Sequence, residues 1–174
     1  GQRKYDLIIL GTFEELPKIS LEKGITDAVI CIPENYMRVR KNYFSACRNL
    51  GIRMLSAIHS HAVISSDVSM GEGVIVMAGV VINPGVKIGN NVIIFSNATI
   101  EHDCTIEDNV YIAPGVQLGG HVKVGDSAML GIGSIIMPQR IVGRESVVGA
   151  GALVTRNVDP ESTVTGVPAK KRTP

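Results

Sequence analysis

The chain has 174 residues, a formal net charge of +1, 4% aromatic residues and no tryptophan. That balance provides no field for nucleic acid or an anionic membrane surface. No apolar run is long enough to span a bilayer, and no secretory leader is evident. The three cysteines, Cys31, Cys47 and Cys104, have neither disulfide nor zinc spacing, so they read as reduced thiols of a cytoplasmic protein.

Residues 1–57 read as alternating strands and helices. Tyr5 to Leu10 reads as a buried strand, Phe13 to Lys23 as a short helix, and Asp27 to Ile32 as a second strand. Asn35 to Leu50 is helical by its apolar spacing, with Tyr36, Val39, Tyr43, Phe44 and Cys47 or Leu50 on one face. Gly51 stops that helix at the C′ position, and Arg53 to Ile58 is a third strand. The alternation implies a small parallel α/β unit. Gly11-Thr-Phe-Glu-Glu after the first strand is not a glycine-rich phosphate loop, and the unit reads as partial.

From Ile58 to Val154 every sixth residue is aliphatic, seventeen times without a slip. The position four residues after each is small or Val, except at Arg140. The residue directly after each aliphatic is often Gly, as at Gly71, Gly89, Gly119 and Gly125. A period of six fits neither an α-helix nor a plain alternating strand. It fits a hexapeptide-repeat parallel β-helix over residues 58–159, three hexads to each coil of about eighteen residues. The aliphatic columns point inward, and residues eighteen apart become neighbours. Glycine in second place lets the chain round a corner without a Cβ clash. Outward Ile75, Val81, Ile93, Met129 and Ile135 are more apolar surface than a monomer commonly exposes. Residues 160–174 form a tail, with Pro168 unable to donate to a ladder, that caps the open end.

Of the four histidines, His102 is flanked by Glu101 and Asp103 and lies two places after inward Ile100, near a corner. A histidine beside a carboxylate can be held in one tautomer and act as a general base near neutral pH. By itself the trio reads more readily as solvated surface. His59-Ser-His61 and His102-Asp103-Cys104 invite a metal, and Asp103 and His121, eighteen apart, stack across coils. No histidine trio has the spacing of hexapeptide-repeat carbonic anhydrases, so no catalytic metal is expected.

The segment Asn97 to Val116, containing Ile100-Glu-His-Asp-Cys104, together with Gly119-Gly120 and Gly166-Val-Pro-Ala-Lys170, resembles the sugar acetyltransferases of bacterial surface-glycan biosynthesis. That family includes sialic acid O-acetyltransferases and N-acetyltransferases of nucleotide-linked 4-amino-6-deoxy sugars. The resemblance implies a left-handed β-helix, although right-handed crossovers are the general rule. It also implies a homotrimer with acetyl-CoA as co-substrate, and residues 1–57 as part of a nucleotide-sugar-binding-like domain.

Carried over, His102 matches the general base and Asp103 the carboxylate that orients it. Gly120 matches the glycine whose N–H polarises the acetyl carbonyl. Ile132 and Ala150 match positions lining the acetyl-CoA groove, with Gly131, Gly149 and Gly151 letting pantetheine lie close. Lys170 and Lys171 could meet the CoA phosphates. Two departures stand out: Tyr111 occupies the place of a second histidine, where as a cofactor-binding residue it could still donate a hydrogen bond to the thioester, and Phe95 that of an asparagine, with Asn97 displaced. The expected activity is acetyl transfer to an amine of a nucleotide-linked amino sugar. O-acetylation of sialic acid and a non-catalytic oligomerisation solenoid are the alternatives.

Overall fold

The computed structural model describes residues 3–4, 7–32 and 37–172. Its body is a left-handed parallel β-helix of about six turns. Three flat faces are built from two-residue strands, paired in parallel register eighteen residues apart, as in Ile94 with Ile112 and Ile100 with Leu118. The first face carries Ala57–Ile58, Ile75–Val76, Ile93–Ile94, Tyr111–Ile112, Met129–Leu130, Val147–Val148 and Thr163–Thr165. The second runs from Val63–Ile64 through Thr99–Ile100 and Gln117–Leu118 to Leu153–Val154, and the third from Ser69–Met70 to Ile141–Val142.

Of the hexad aliphatics, the fourteen from Val76 to Val154 are buried. At about 1.5–3 kcal/mol each, they are the main stabilising term of the prism. Ile58 is 50% exposed, because no coil precedes it on that side. The small-residue column is buried without a break from Val74 to Ser134, and again at Ser146, Ala152 and Val158. Arg140, half-buried, is its one departure.

The corner geometry refines the glycine expectation. From Met70 to Val148 the left-handed residue falls three places after the inward aliphatic, not one, and is Gly, Asn, Asp, His or another polar residue. Asn91, Asn97, Asp103, Asn109 and His121 all take φ between 57° and 61° there. Short polar side chains tolerate that region best after glycine. The second-place glycines serve coil stacking instead: a Cβ on Gly131 would lie 2.6 Å from the Ala150 nitrogen.

The amino-terminal unit departs from a three-stranded parallel sheet. The strands β1 (Arg3–Lys4) and β2 (Leu7–Ile8) pair antiparallel, and Leu7 and Ile8 are exposed rather than buried. Helix α1 spans Leu16–Lys23, starting later than expected, at Pro17's turn. Among the described residues of this unit, only β3 (Asp27–Ala28) and β4 (Arg53–Met54) form a parallel pair. Helix α2 spans Met37–Asn49, and its expected face residue Tyr36 and start at Asn35 lie outside the described residues. Gly51 ends it as expected, with φ 73° and the Ile52 N–H donating to the Cys47 carbonyl.

The buried face of α2 is Arg40, Phe44 and Cys47, whereas Leu50 is exposed. The Arg40 guanidinium donates to the carbonyls of Ile30 and Gly73, joining the amino-terminal unit to the first coil. Burial pulls its pKa down to about 10, with the charge interaction with Cys31 opposing. Lys41 Nζ reaches Asp126 Oδ2 and Ser127 Oγ, both at 3.0 Å, and fixes α2 along the first face. Ile93, expected to be exposed, is therefore only 3% exposed, and Ile75 and Met129 are half-buried. The second face has no such cover among the described residues, and Val63, Ile132, Ile135 and Met137 are exposed there and at its corners.

At the far end, Thr163–Thr165 pairs antiparallel with Lys170–Lys171. Ala169 packs on the core between them, and its N–H donates to the Leu153 carbonyl. The tail thereby crosses the end of the stack.

Candidate active site

The corner between the second and third faces gathers the candidate catalytic residues. His102 follows the strand Thr99–Ile100, and Gly120 follows Gln117–Leu118 one coil on. The imidazole is outward, 53% exposed in its side chain, not walled into the prism. His102 Nδ1 lies 2.9 Å from Asp103 Oδ2. That contact favours the tautomer with the proton on Nδ1 and leaves the Nε2 lone pair free.

Nε2 faces Gly120: a Cβ built on that glycine would lie 2.6 Å from it. No carbonyl or side chain among the described residues accepts from the Gly120 N–H. At the corner between the third and first faces, three N–H groups at the same hexad place are capped by a side chain, whereas among the described residues those of His102, Ile132 and Arg144 are open like that of Gly120. Glu72 N donates to Asn90 Oδ1 at 2.9 Å, Asn90 N to Asp108 Oδ1 at 2.6 Å, and Asp126 N to Glu107 Oε2 at 2.8 Å. The Gly120 N–H is open at the corner that also holds the imidazole nitrogen, a donor and a potential base close to one another.

Asp103 also meets a second imidazole. His121 Nε2 is 3.8 Å from Asp103 Oδ2, and the His102 and His121 rings stand edge to face with centroids 5.0 Å apart. Cys104, the next residue, is buried in the column and donates its thiol to the Gly119 carbonyl at 3.2 Å. Burial pushes its pKa up to about 11, so it is no nucleophile at neutral pH.

The other expected residues do not join this corner within one chain. Gly131, Ile132, Gly149, Ala150 and Gly151 lie at the corner between the first and second faces, where Ile132 is 63% exposed. Coil stacking alone calls for glycine at 131 and 149, whereas a Cβ on Gly151 would meet open space. Tyr111 is on the first face, 5% exposed, packed near Phe95 and facing a cleft of about 580 Å³ bordered by α2. Lys170 and Lys171 border a second cleft of about 270 Å³ at the end of the stack, with Lys171 Nζ 3.7 Å from Asp159 Oδ2.

Arg156 borders that second cleft too, and the sequence reading missed it. Its signal was the eighteen-residue ladder: His102, Gly120, Pro138 and Arg156 occupy one corner on successive coils. Three coils at the strand spacing put Arg156 roughly 14 Å along the prism from His102.

Comparison with known proteins identifies the family of this fold. The family described as "Bacterial transferase hexapeptide (six repeats)" matches residues 85–120, and "Hexapeptide repeat of succinyl-transferase" matches 121–156. The chain is 36% identical to a histidine-to-alanine mutant of GDP-perosamine N-acetyl transferase from Caulobacter crescentus, solved with CoA and GDP-perosamine. That match covers 92% of this chain and 75% of the other, with a TM-score of 0.88. The acetyltransferase domain of PglB from Neisseria gonorrhoeae, solved with acetyl coenzyme A, is 29% identical over 98% of this chain and 81% of its own, with a TM-score of 0.90. WeeI from Acinetobacter baumannii is 26% identical over 99% of this chain and 81% of its own, with a TM-score of 0.85. No curated protein matched the sequence.

Proposed function

The chain belongs to the hexapeptide-repeat sugar acetyltransferase family, and from that premise we propose that it moves acetyl from acetyl-CoA to the amine of a nucleotide-linked amino sugar. One observation carries the reading: Nε2 of His102, freed by the 2.9 Å contact of Nδ1 with Asp103, lies against Gly120, whose N–H donates to nothing among the described residues.

The sugar amine attacks the thioester carbonyl carbon, and a C–N bond forms. The carbonyl oxygen becomes an oxyanion, held by the Gly120 N–H, a contact worth several kcal/mol in related sites, about 3–4. His102 Nε2 takes the proton that the attacking nitrogen sheds, and Asp103 stabilises the resulting imidazolium. The C–S bond then breaks, and CoA leaves as the thiolate. No enzyme-bound acetyl is needed, in keeping with a Cys104 thiol buried in the prism.

Lys170, Lys171 and Arg156 are the cationic group suited to the CoA phosphates at the end of the same ladder. The active protein is a homotrimer, in which the corner of a second copy brings Ile132, Ala150 and Gly151 opposite His102. The exposed Val63, Ile135 and Met137 of the uncovered second face favour that arrangement.

The test is acetyl transfer followed by product chromatography over amino sugars, their nucleotide-diphosphate forms, and sialic acid. His102→Ala should lower kcat by about 10²–10⁴ on the accepted substrate. Unchanged turnover rejects His102 as the base. Acetylation of sialic acid alone would move the reading to O-transfer, and no transfer to any acceptor would move it to a non-catalytic solenoid.

A further inference from the structure

We propose that His102, Asp103 and His121 form a binding site for a zinc-like divalent metal ion, held through Nδ1, Oδ2 and Nε2. One potential donor atom from each of the three residues lies within 4.8 Å of the other two. Two of those spacings are 2.9 Å, from His102 Nδ1 to Asp103 Oδ2, and 3.8 Å, from His121 Nε2 to the same oxygen. Zinc with bonds of about 2.0 Å needs tetrahedral donors roughly 3.3 Å apart, which these two spacings bracket. Two imidazoles and one carboxylate are a zinc donor set, and their exposure leaves the fourth position to water.

The backbone presents the set ready-made. Asp103 and His121 occupy the same left-handed corner place on successive coils, with φ 57° and 59°. The His121 N–H donates to the His102 carbonyl at 3.0 Å, and the Asp103 N–H to the Pro84 carbonyl at 3.0 Å. Little backbone ordering is left for a metal to supply.

Such an ion has a consequence that rests on the proposed function. By occupying Nδ1 the ion excludes the proton from that nitrogen, so the single N–H proton of the neutral imidazole moves, by exchange with solvent, to Nε2. That nitrogen then donates and cannot accept from the sugar amine. It also occupies the Asp103 oxygen that stabilises the imidazolium. Zinc is an inhibitor in this scheme, not a catalytic group.

The experiment uses the intact chain, dialysed against chelator and titrated with zinc sulfate against a chromophoric zinc indicator. The comparison is His121→Asn, because asparagine holds the same corner at 91, 97 and 109 and keeps the backbone. The expected result is one equivalent of zinc per chain for the unmodified protein, and affinity weaker by about ten-fold or more in H121N with an unchanged melting temperature. No uptake, or equal uptake by both proteins, overturns the site. Acetyl transfer is then measured with and without zinc by product chromatography, since CoA thiol itself binds zinc. Zinc should slow the unmodified protein and spare H121N. Uptake that depends on His121 but leaves turnover untouched upholds the metal site, and it overturns the assignment of Nε2 as the base.

Discussion

His102 and Gly120, eighteen residues apart, approach so closely that a Cβ on the glycine would lie 2.6 Å from the imidazole Nε2. Gly120→Ala must therefore push the ring aside. The ring is more than half exposed, so its displacement costs the fold little. The expected outcome is a fall in kcat of about a hundred-fold with the melting temperature unchanged. Steady-state kinetics beside a thermal melt checks it, and a G120A enzyme with normal kcat would remove Gly120 from the site.

The corner bearing His102 and the corner bearing Ala150 are different edges of one prism. If two copies share each site, two inactive variants should complement. His102→Ala and Ala150→Glu, denatured and refolded together in equal amounts, should regain about one quarter of the unmodified activity, because each partner must supply its intact half. A site confined to one chain regains none. Light scattering on the same mixture reports the assembly.

The cysteines should divide sharply. Cys31 is exposed, whereas Cys47 and Cys104 are buried and burial raises both thiol pKa values, that of Cys104 to about 11. A thiol reagent at pH 8 should label Cys31 rapidly in the native protein and all three cysteines after denaturation. Mass spectrometry locates the label. Fast native labelling of Cys104 would mean that the coil opens at the corner bearing His102.

Lys41 and Asp126 tie α2 to the prism at 3.0 Å. Partial burial of Asp126 raises its carboxyl pKa, but hydrogen bonds from Asn109, Lys41 and Ser127 outweigh it and hold the group below its ordinary value. A depressed folded pKa stabilises above the unfolded value, about 3.9, and that stabilisation is lost as pH falls through the folded one. Lys41→Ala should cost about 0.5–1 kcal/mol at pH 7, since both side chains keep a third or more of their exposure. The gap between K41A and the unmodified protein should narrow towards pH 3 in thermal melts. A gap independent of pH would assign the loss to packing of the lysine stem.

The prism was legible because its signal is redundant. Seventeen aliphatics in register leave no rival period, and the eighteen-residue spacing alone puts His102 beside Gly120 and Asp103 beside His121. Contacts that cross between the amino-terminal unit and the coils were not legible. Arg40 sits among charged residues of α2 and reads as surface, yet the carbonyls of Ile30 and Gly73 draw it inside. The same packing hides Ile93, which by its place in the hexad points outward. Leu7 to Leu10 failed in the opposite sense, since an apolar run promises burial only where another layer covers it, and here it remains exposed. The glycines were ambiguous because stacking coils and accommodating a ligand both demand a missing Cβ.

Parallel pairing at a constant offset of eighteen makes length in this protein a quantised variable. A duplication of eighteen residues between Gly120 and Arg156 would add a whole storey and preserve every column. Any other insertion would have to bulge out as a loop or break the ladder. The reach from the imidazole to the cationic end can thus be lengthened or shortened only in jumps of about 4.8 Å, one storey at a time.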